Sequence, residues 1–208
     1  MGTATAEAEL IDRVLAVVEG QVVTLSDVRA VLRFSLVPPD VSDDPIQAGL
    51  RRLIDRRLML VEVDRYAPPE PPENAVDAAL AEVRARFEDP AAFQQALDRS
   101  PMSLDEMRRY LRDSLRIETY LQQRFASSAQ PSEDEVVAFY KNHLAEFTAN
   151  GVQQSLNAVR DQIMVRIAEE RRAQAIEEWI DGLRRRGSVV VLPRAGVTGG
   201  REEKEVRD

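Results

Sequence analysis

The alternation of apolar and polar residues near the start of the chain predicts a β-hairpin. Two short β-branched runs, Val14–Val18 and Gln21–Leu25, flank the dipeptide Glu19-Gly20. A glycine at a two-residue junction supplies the positive φ that a tight hairpin turn needs. Ser26 or Asp27 follows at once and is expected to cap a helix.

A second β signal lies near the other end of the chain. Val189–Leu192 is rich in β-branched residues, follows a helix stop at Gly187 and is ended by Pro193. A lone two-stranded hairpin is marginal in water, so we expect this run to join the hairpin. The predicted fold class is mainly α, with a small antiparallel β-sheet formed by an N-terminal hairpin and a C-terminal strand.

Apolar residues recur at helical spacing through the rest of the chain. The longest such segment, Leu156–Arg186, would be about 45 Å long at the usual helical rise. Its apolar positions cluster at its two ends around a charged middle, so this helix is expected to touch two packing units. The shorter helices are predicted over Ser26–Leu36, Ser42–Tyr66, Glu73–Phe87, Asp89–Arg99, Ser103–Phe125 and Pro131–Phe147.

These elements suggest a helical lobe inserted into a core. A stiff proline-rich spacer, APPEPP, separates the second long helix from the segment that follows it. The predicted regions are a flexible N-terminus (1–10), a core with the sheet and the long helix (11–66 plus 152–192), a helical lobe (67–151) and a disordered tail (193–208).

Composition narrows the classes of function. The 208 residues carry a net charge of −8 and only 5% aromatic residues, which disfavours a nucleic acid or an anionic lipid as partner. The absence of cysteine excludes disulfides, thiolate metal sites and a cysteine nucleophile. No run is long and apolar enough for a membrane span. We also recognise no signal peptide, and leave open whether one was removed.

Charged and titratable clusters have ordinary explanations in this sequence. His143 is the one histidine, and no Ser–Asp arrangement points to it. Acidic residues at 133–135 and basic residues at 184–186 lie where the helix macrodipole favours them, although a cation or an anion could also bind there. No phosphate loop, metal-ligand spacing or nucleophile elbow is present. We therefore expect no catalytic residue, no metal, no cofactor and no enzyme activity.

Five segments in a fixed order carry a resemblance to a known family. Together they resemble the SurA-like periplasmic chaperones, the parvulin-associated family, over nearly the whole chain. The segments are IDRVLAVVEGQVVTLSDV (11–28), LRRLIDRRLMLVEVDRY (50–66), MSLDEMRRYLRDSLRIETYLQQRF (102–125), PSEDEVVAFYKNHLAEFT (131–148) and VRDQIMVRIAEERRAQAIEEWIDGLRRRGSVVVL (159–192).

The chain departs from this family at one place. Isomerase-bearing relatives carry a parvulin domain of about a hundred residues after the position of Glu146-Phe147. Only Thr148–Ser155 occupies that place here, and the parvulin pocket uses a pair of histidines where this chain has one. We therefore expect no prolyl isomerase activity by the family's mechanism.

The resemblance implies ATP-independent binding of unfolded or partly folded polypeptides in the periplasm, with envelope or outer-membrane proteins as clients. We expect a cradle between the core and the Glu73–Phe125 helices to offer apolar patches rimmed by charge. Apolar residues near helix ends are candidates for the client-binding surface. Methionine could also line such a surface, although core filling is its more ordinary explanation. A structural or assembly subunit with one fixed envelope partner is the alternative function, and a degenerate isomerase ranks last. The sequence does not determine the oligomeric state, and a homodimer is one of the possibilities. The candidate client-binding residues are Leu36, Val37, Phe87, Phe93 and Met102.

Overall fold

The computed structural model describes residues 12–38, 44–126, 130–149 and 152–193. The predicted flexible N-terminus and nearly all of the predicted disordered tail lie outside the described residues. The helices are α1 Leu25–Arg33, α2 Pro45–Tyr66, α3 Glu73–Arg84, α4 Pro90–Asp98, α5 Leu104–Phe125, α6 Glu133–Asn142 and α7 Leu156–Arg186. The strands are β1 Val14–Val18, β2 Gln21–Thr24, β3 Thr148–Ala149, β4 Val152–Gln153 and β5 Val189–Val191.

The sheet joins both ends of the described chain, and the predicted fold class is confirmed. Its strands run antiparallel in the order β2-β1-β5. Glu19 and Gly20 form the hairpin turn with φ values of 49° and 77°, the positive pair that matches the twist of the strands. Val17 lies opposite Val190, and the backbone N–H of Leu192 donates to the carbonyl of Leu15 (2.9 Å).

The start of α1 differs from the prediction that Ser26 or Asp27 caps it. The N-cap is Thr24, whose hydroxyl accepts the backbone N–H of Asp27 at 3.2 Å. The Asp27 carboxylate in turn accepts the backbone N–H of Thr24 at 2.8 Å. This reciprocal capping box satisfies two N–H groups and starts the helix one residue before Ser26.

The end of α1 also differs from the prediction, because the helix stops at Arg33 and not at Leu36. Ser35 adopts a left-handed conformation with φ 50°. The backbone N–H of Leu36 then bonds the carbonyl of Val31 (2.8 Å), and that of Ser35 bonds the carbonyl of Leu32 (3.1 Å). This is a Schellman motif with serine in the position that glycine usually takes.

A second small ladder was not predicted. Helix α6 ends at Asn142, short of Phe147, and the chain then turns into strands β3 and β4, which pair antiparallel. The sequence alone predicts only a short break over Thr148–Gln153, around Gly151, which itself lies outside the described residues.

Three apolar clusters make up the core of the described chain. The first cluster packs the sheet against α1, α2, the end of α5 and the end of α7. The second cluster packs the end of α1 against α3, α4 and the start of α5. The third cluster packs α6 and Phe147 against the start of α7. Helix α7 therefore contributes to two clusters, as predicted, whereas the division into core and lobe stays a prediction.

Candidate functional site

A groove of about 240 Å³ lies where β2, α1 and α2 face α5. Strand β2 and helices α1 and α2 bound one side of the groove. Helix α5, which contributes to the first and second clusters, bounds the other. Its floor is apolar and partly open to solvent. The apolar lining residues are Val22, Val23, Val31, Leu53, Leu60 and Met102.

The rim of the groove carries both signs of charge in equal number. Three guanidinium groups and three carboxylates lie among its lining residues, so the rim has no net charge. A surface of this kind does not select partners by the sign of their charge. The charged residues are Arg56, Arg57, Arg109, Asp27, Glu106 and Asp113.

Arg56 fixes one wall of the groove by tying α2 to α5. Its guanidinium donates to the carbonyl of Tyr110 (2.6 Å) and to the hydroxyl of Ser114 (2.9 Å). It also lies 3.7 Å from the centre of the Tyr110 ring, within cation–π range. Burial lowers the pKa of Arg56 and raises the pKa of Tyr110. Arg56 is thus a positioning residue that holds α2 against α5.

Arg57, the next residue, is half-buried and lines the same groove. It forms no ion pair within the part of the chain that the structure describes. Its planar fork of N–H donors can therefore serve a carboxylate or a backbone carbonyl that enters the groove.

The residues predicted from sequence to bind a client lie mostly in the second cluster. Phe93 and Val37 are buried, with exposed fractions of 4% and 9%, and so occupy core positions. Leu36, Phe87 and Met102 are half-buried and keep some surface. Met102 also lines the groove, whereas the others do not. Contact of these residues with a client stays a prediction.

An aromatic cluster holds two of these residues, Phe87 and Phe93, against Phe34. Phe34 lies 6.1 Å from both Phe87 and Phe93, measured between ring centres, and Phe87 lies 5.4 Å from Phe93 in an edge-on arrangement. Such tilted ring pairs are favourable beyond the area that they bury. Phe87 and Phe93 also border a second, open cavity of about 550 Å³ beside α3 and α4.

Sequence reasoning missed most of the groove. Leu53, Arg57 and Leu60 lie four and three residues apart, so helical spacing alone places them on one face of α2. The sequence did not indicate which element would face them, because their partners on β2 and α5 lie far away along the chain. The sequence therefore predicted a cradle between the core and the Glu73–Phe125 helices, but not the residues that line it.

His143 lies in a different part of the molecule, at the C-terminal end of α6. Its ring stacks on Phe139 with 4.0 Å between ring centres, and its Nδ1 lies 2.8 Å from the Phe139 carbonyl oxygen. It borders a shallow cavity between α6 and α7, together with Glu135 and Arg171. Packing against the helix end accounts for its position.

The described residues contain no group of three or more histidine, aspartate or glutamate side chains placed to hold a metal ion. None of the described helices is long and apolar enough to cross a membrane.

Comparison with known proteins relates the chain to proteins concerned with protein folding. No family model matches it. NifM of Azotobacter vinelandii, a candidate peptidyl-prolyl cis-trans isomerase, is 29% identical over 119 residues, which are 55% of this chain and 40% of that protein. The chain thus spans less than half of the length of this relative. The similarity supports a folding-related class, and the finer resemblance to SurA-like chaperones stays a prediction.

Proposed function

We propose that this protein is an ATP-independent chaperone that binds unfolded or partly folded polypeptides. The observation that carries the proposal is the groove between β2, α2 and α5, which has an apolar floor and a charge-balanced rim. The similarity to NifM supports a role related to folding. Periplasmic location and envelope or outer-membrane clients form part of the proposal and rest on the SurA resemblance.

The groove suits short apolar segments of many sequences. Removing apolar side chains of a client from water supplies about 25 cal/mol per Å². At about 240 Å³ the groove is slightly smaller than the pockets that enclose whole small molecules, so it holds only a few client side chains at once. Weak and sequence-tolerant contact of this kind lowers the concentration of free unfolded chain by mass action, without nucleotide hydrolysis.

Light scattering tests the proposal. A denatured β-rich membrane protein is diluted into buffer with this protein in modest molar excess and no ATP. We expect less scattering than with an inert protein of similar charge. Scattering equal to that of the inert protein would remove the chaperone function, and a subunit with one fixed partner would replace it.

A matched pair of variants locates the activity in the groove. Val22 and Val165 are both exposed valines, at 48% and 56%, but only Val22 lines the groove. Val22→Glu places a charge on the apolar floor and is expected to raise scattering. Val165→Glu makes the same chemical change on α7 and is expected to behave as the original protein.

Prolyl isomerisation is the second candidate function, because the relative NifM carries that name. We propose that this chain binds polypeptides without catalysing prolyl isomerisation, since its histidine is packed on Phe139 at a helix end. In a protease-coupled assay with a proline peptide, cis/trans isomerisation should take as long as it does without a catalyst, on the order of tens to hundreds of seconds. An acceleration that disappears in His143→Ala would establish the isomerase instead.

A further inference from the structure

Strand β5 lies at one edge of the sheet and exposes apolar side chains. In the order β2-β1-β5 it pairs with β1 alone, and no described strand covers its outer side. Val190, Val191 and Leu192 are exposed by 55%, 53% and 40%. Three adjacent apolar residues at these exposures are unusual on an edge strand, where pairing with another chain is a hazard.

The register shows which backbone groups of β5 face outward. In an antiparallel pair, hydrogen-bonded and non-bonded positions alternate. The N–H of Glu19 donates to Ser188 (2.8 Å) and that of Leu192 donates to Leu15 (2.9 Å), so Val190 between them is also a bonded position. The N–H and C=O groups of Val189 and Val191 therefore point away from β1, toward the open edge.

By contrast, strand β2, at the other edge of the sheet, is partly protected. On β2 the backbone N–H of Thr24 is taken by the Asp27 carboxylate at 2.8 Å. Strand β5 is short, which limits the exposed edge, but the residues from 189 to 192 include neither the charge nor the proline that commonly protects an edge strand. The open edge of β5 is thus suited to accept another strand.

We propose that the outer edge of β5 binds an extended segment of a client polypeptide by strand addition. The proposal rests on the proposed chaperone function and extends it to a second surface. Backbone groups of Val189 and Val191 would pair with the client backbone, which every sequence provides. Val190 lies on the same sheet face as Val17 and Val22, so this valine row would continue onto an apolar residue of the client.

The length of β5 favours a client over a second copy of this chain. Strand β5 has three residues, and only two of them direct backbone groups outward. A stable homodimer interface usually buries more than about 1,200 Å², far above what two such short strands cover. An unfolded client, by contrast, needs only transient partners for its unpaired backbone.

Proline substitution gives a sharp test of this edge. Val191→Pro removes an outward N–H and leaves the pairing of Val190 with β1 intact, because proline is tolerated on an edge strand. Val191→Ala removes the side chain and keeps the N–H. The probe is a labelled peptide of about ten residues with alternating valine and threonine, the length of a long strand.

We expect Val191→Pro to weaken peptide binding by about five- to tenfold, as the loss of one or two backbone hydrogen bonds implies. Val191→Ala should change it by less than about threefold. The same peptide with alternate N-methylated residues should bind weakly to all three proteins. Amide exchange should slow at Val189 and Val191 when the unmodified peptide is added.

The outcomes separate this inference from the proposed function. Equal peptide binding by the original protein and Val191→Pro would overturn the edge site, even if scattering is still suppressed through the groove. Peptide protection of the Val189 and Val191 amides without any effect on scattering would support the edge and remove the chaperone function. Slow exchange of those amides without peptide would also overturn the inference. If that slow exchange depended on protein concentration, a second copy of the chain would occupy the edge. If it did not, a segment of the same chain would occupy it.

Discussion

Asp55 is the one buried charged side chain among the described residues, with 5% of its surface exposed. Arg184 satisfies it in a bidentate geometry: Nε and Nη2 donate to its two oxygens at 2.7 and 2.6 Å. Because the two residues lie on α2 and α7, the pair ties the middle of α2 to the C-terminal end of α7. The hydrogen bond to Asp55 raises the pKa of Arg184.

Arg184→Ala is therefore expected to destabilise the protein by about 2–3 kcal/mol, because it leaves the Asp55 carboxylate buried without its partner. Urea denaturation measures the change in the free energy of unfolding. Arg185→Ala, at the exposed neighbour, is the control and should shift it by less than about 0.5 kcal/mol. Equal effects of the two substitutions would show that Asp55 does not depend on Arg184.

Two glycines near the end of α7 should respond in opposite directions to the same substitution. A Cβ at Gly187 would lie 2.5 Å from a methyl carbon of Leu58 in the core, so Gly187→Ala should cost about 1–3 kcal/mol through overpacking. A Cβ at Gly182 meets only the flexible ends of Arg186, at 3.2 Å, and Arg185, at 3.9 Å. Gly182→Ala should therefore stabilise the helix by about 0.5–1 kcal/mol.

Thermal melting of the two alanine variants checks this pair. The melting temperature should fall for Gly187→Ala and rise for Gly182→Ala. A rise for both would mean that Leu58 moves aside without cost and that the close approach of α2 to the end of α7 is not a constraint.

At the scale of elements, one carboxylate links the start of α6 to α7. The backbone N–H and the hydroxyl of Ser132 donate to Glu135 at 2.7 and 2.8 Å, and Arg171 of α7 contacts its other oxygen. These bonds, the Ser132 backbone first, lower the pKa of Glu135 from 4.5 to about 2. The contacts that cap α6 and dock it on α7 therefore stabilise the charged form of Glu135.

The pH dependence follows from the lowered pKa. Since the folded state holds the charged form more strongly, the stabilisation by Glu135 is complete above pH 4.5 and is lost as the pH falls toward about 2. We expect the protection factors of the α6 amides, which are exchange rates corrected for the intrinsic effect of pH, to fall over that range. Glu135→Gln should remove this dependence, whereas Asp134→Asn, at an exposed neighbour, should keep it. A Glu135 carboxyl that titrates near 4.5 by NMR would contradict the prediction.

The elements of the sheet were readable from sequence because their signals are local. The β-branched runs and Glu19-Gly20 predicted the hairpin, and the orphan run at 189–192 predicted its third strand. The C-terminal end of α1 was misplaced because Ser35 takes a left-handed conformation that serine rarely adopts. The lining of the groove, Met102 apart, was not readable, since Arg56 finds its partners on Tyr110 and Ser114, more than fifty residues later.

At the scale of the whole molecule, the three clusters differ in size and in how they are connected. The third cluster has five buried apolar residues, against fourteen in the first, and α6 reaches the rest of the described chain mainly through α7. Between the two clusters α7 carries charged residues at 169–172. A small cluster that is joined to a larger one only by a solvated stretch of helix is expected to unfold as a separate cooperative unit.

Unfolding should therefore depend on the probe that follows it. Trp179, the one tryptophan, packs against Tyr120 and Phe125 in the first cluster, at 5.6 and 5.9 Å between ring centres. Its fluorescence reports on that cluster alone, whereas far-ultraviolet circular dichroism reports on every helix. With urea we expect the dichroism to begin falling before the fluorescence changes, because the third cluster opens first. Coincident curves would instead show one cooperative unit, and would mean that α7 couples the two clusters along its whole length.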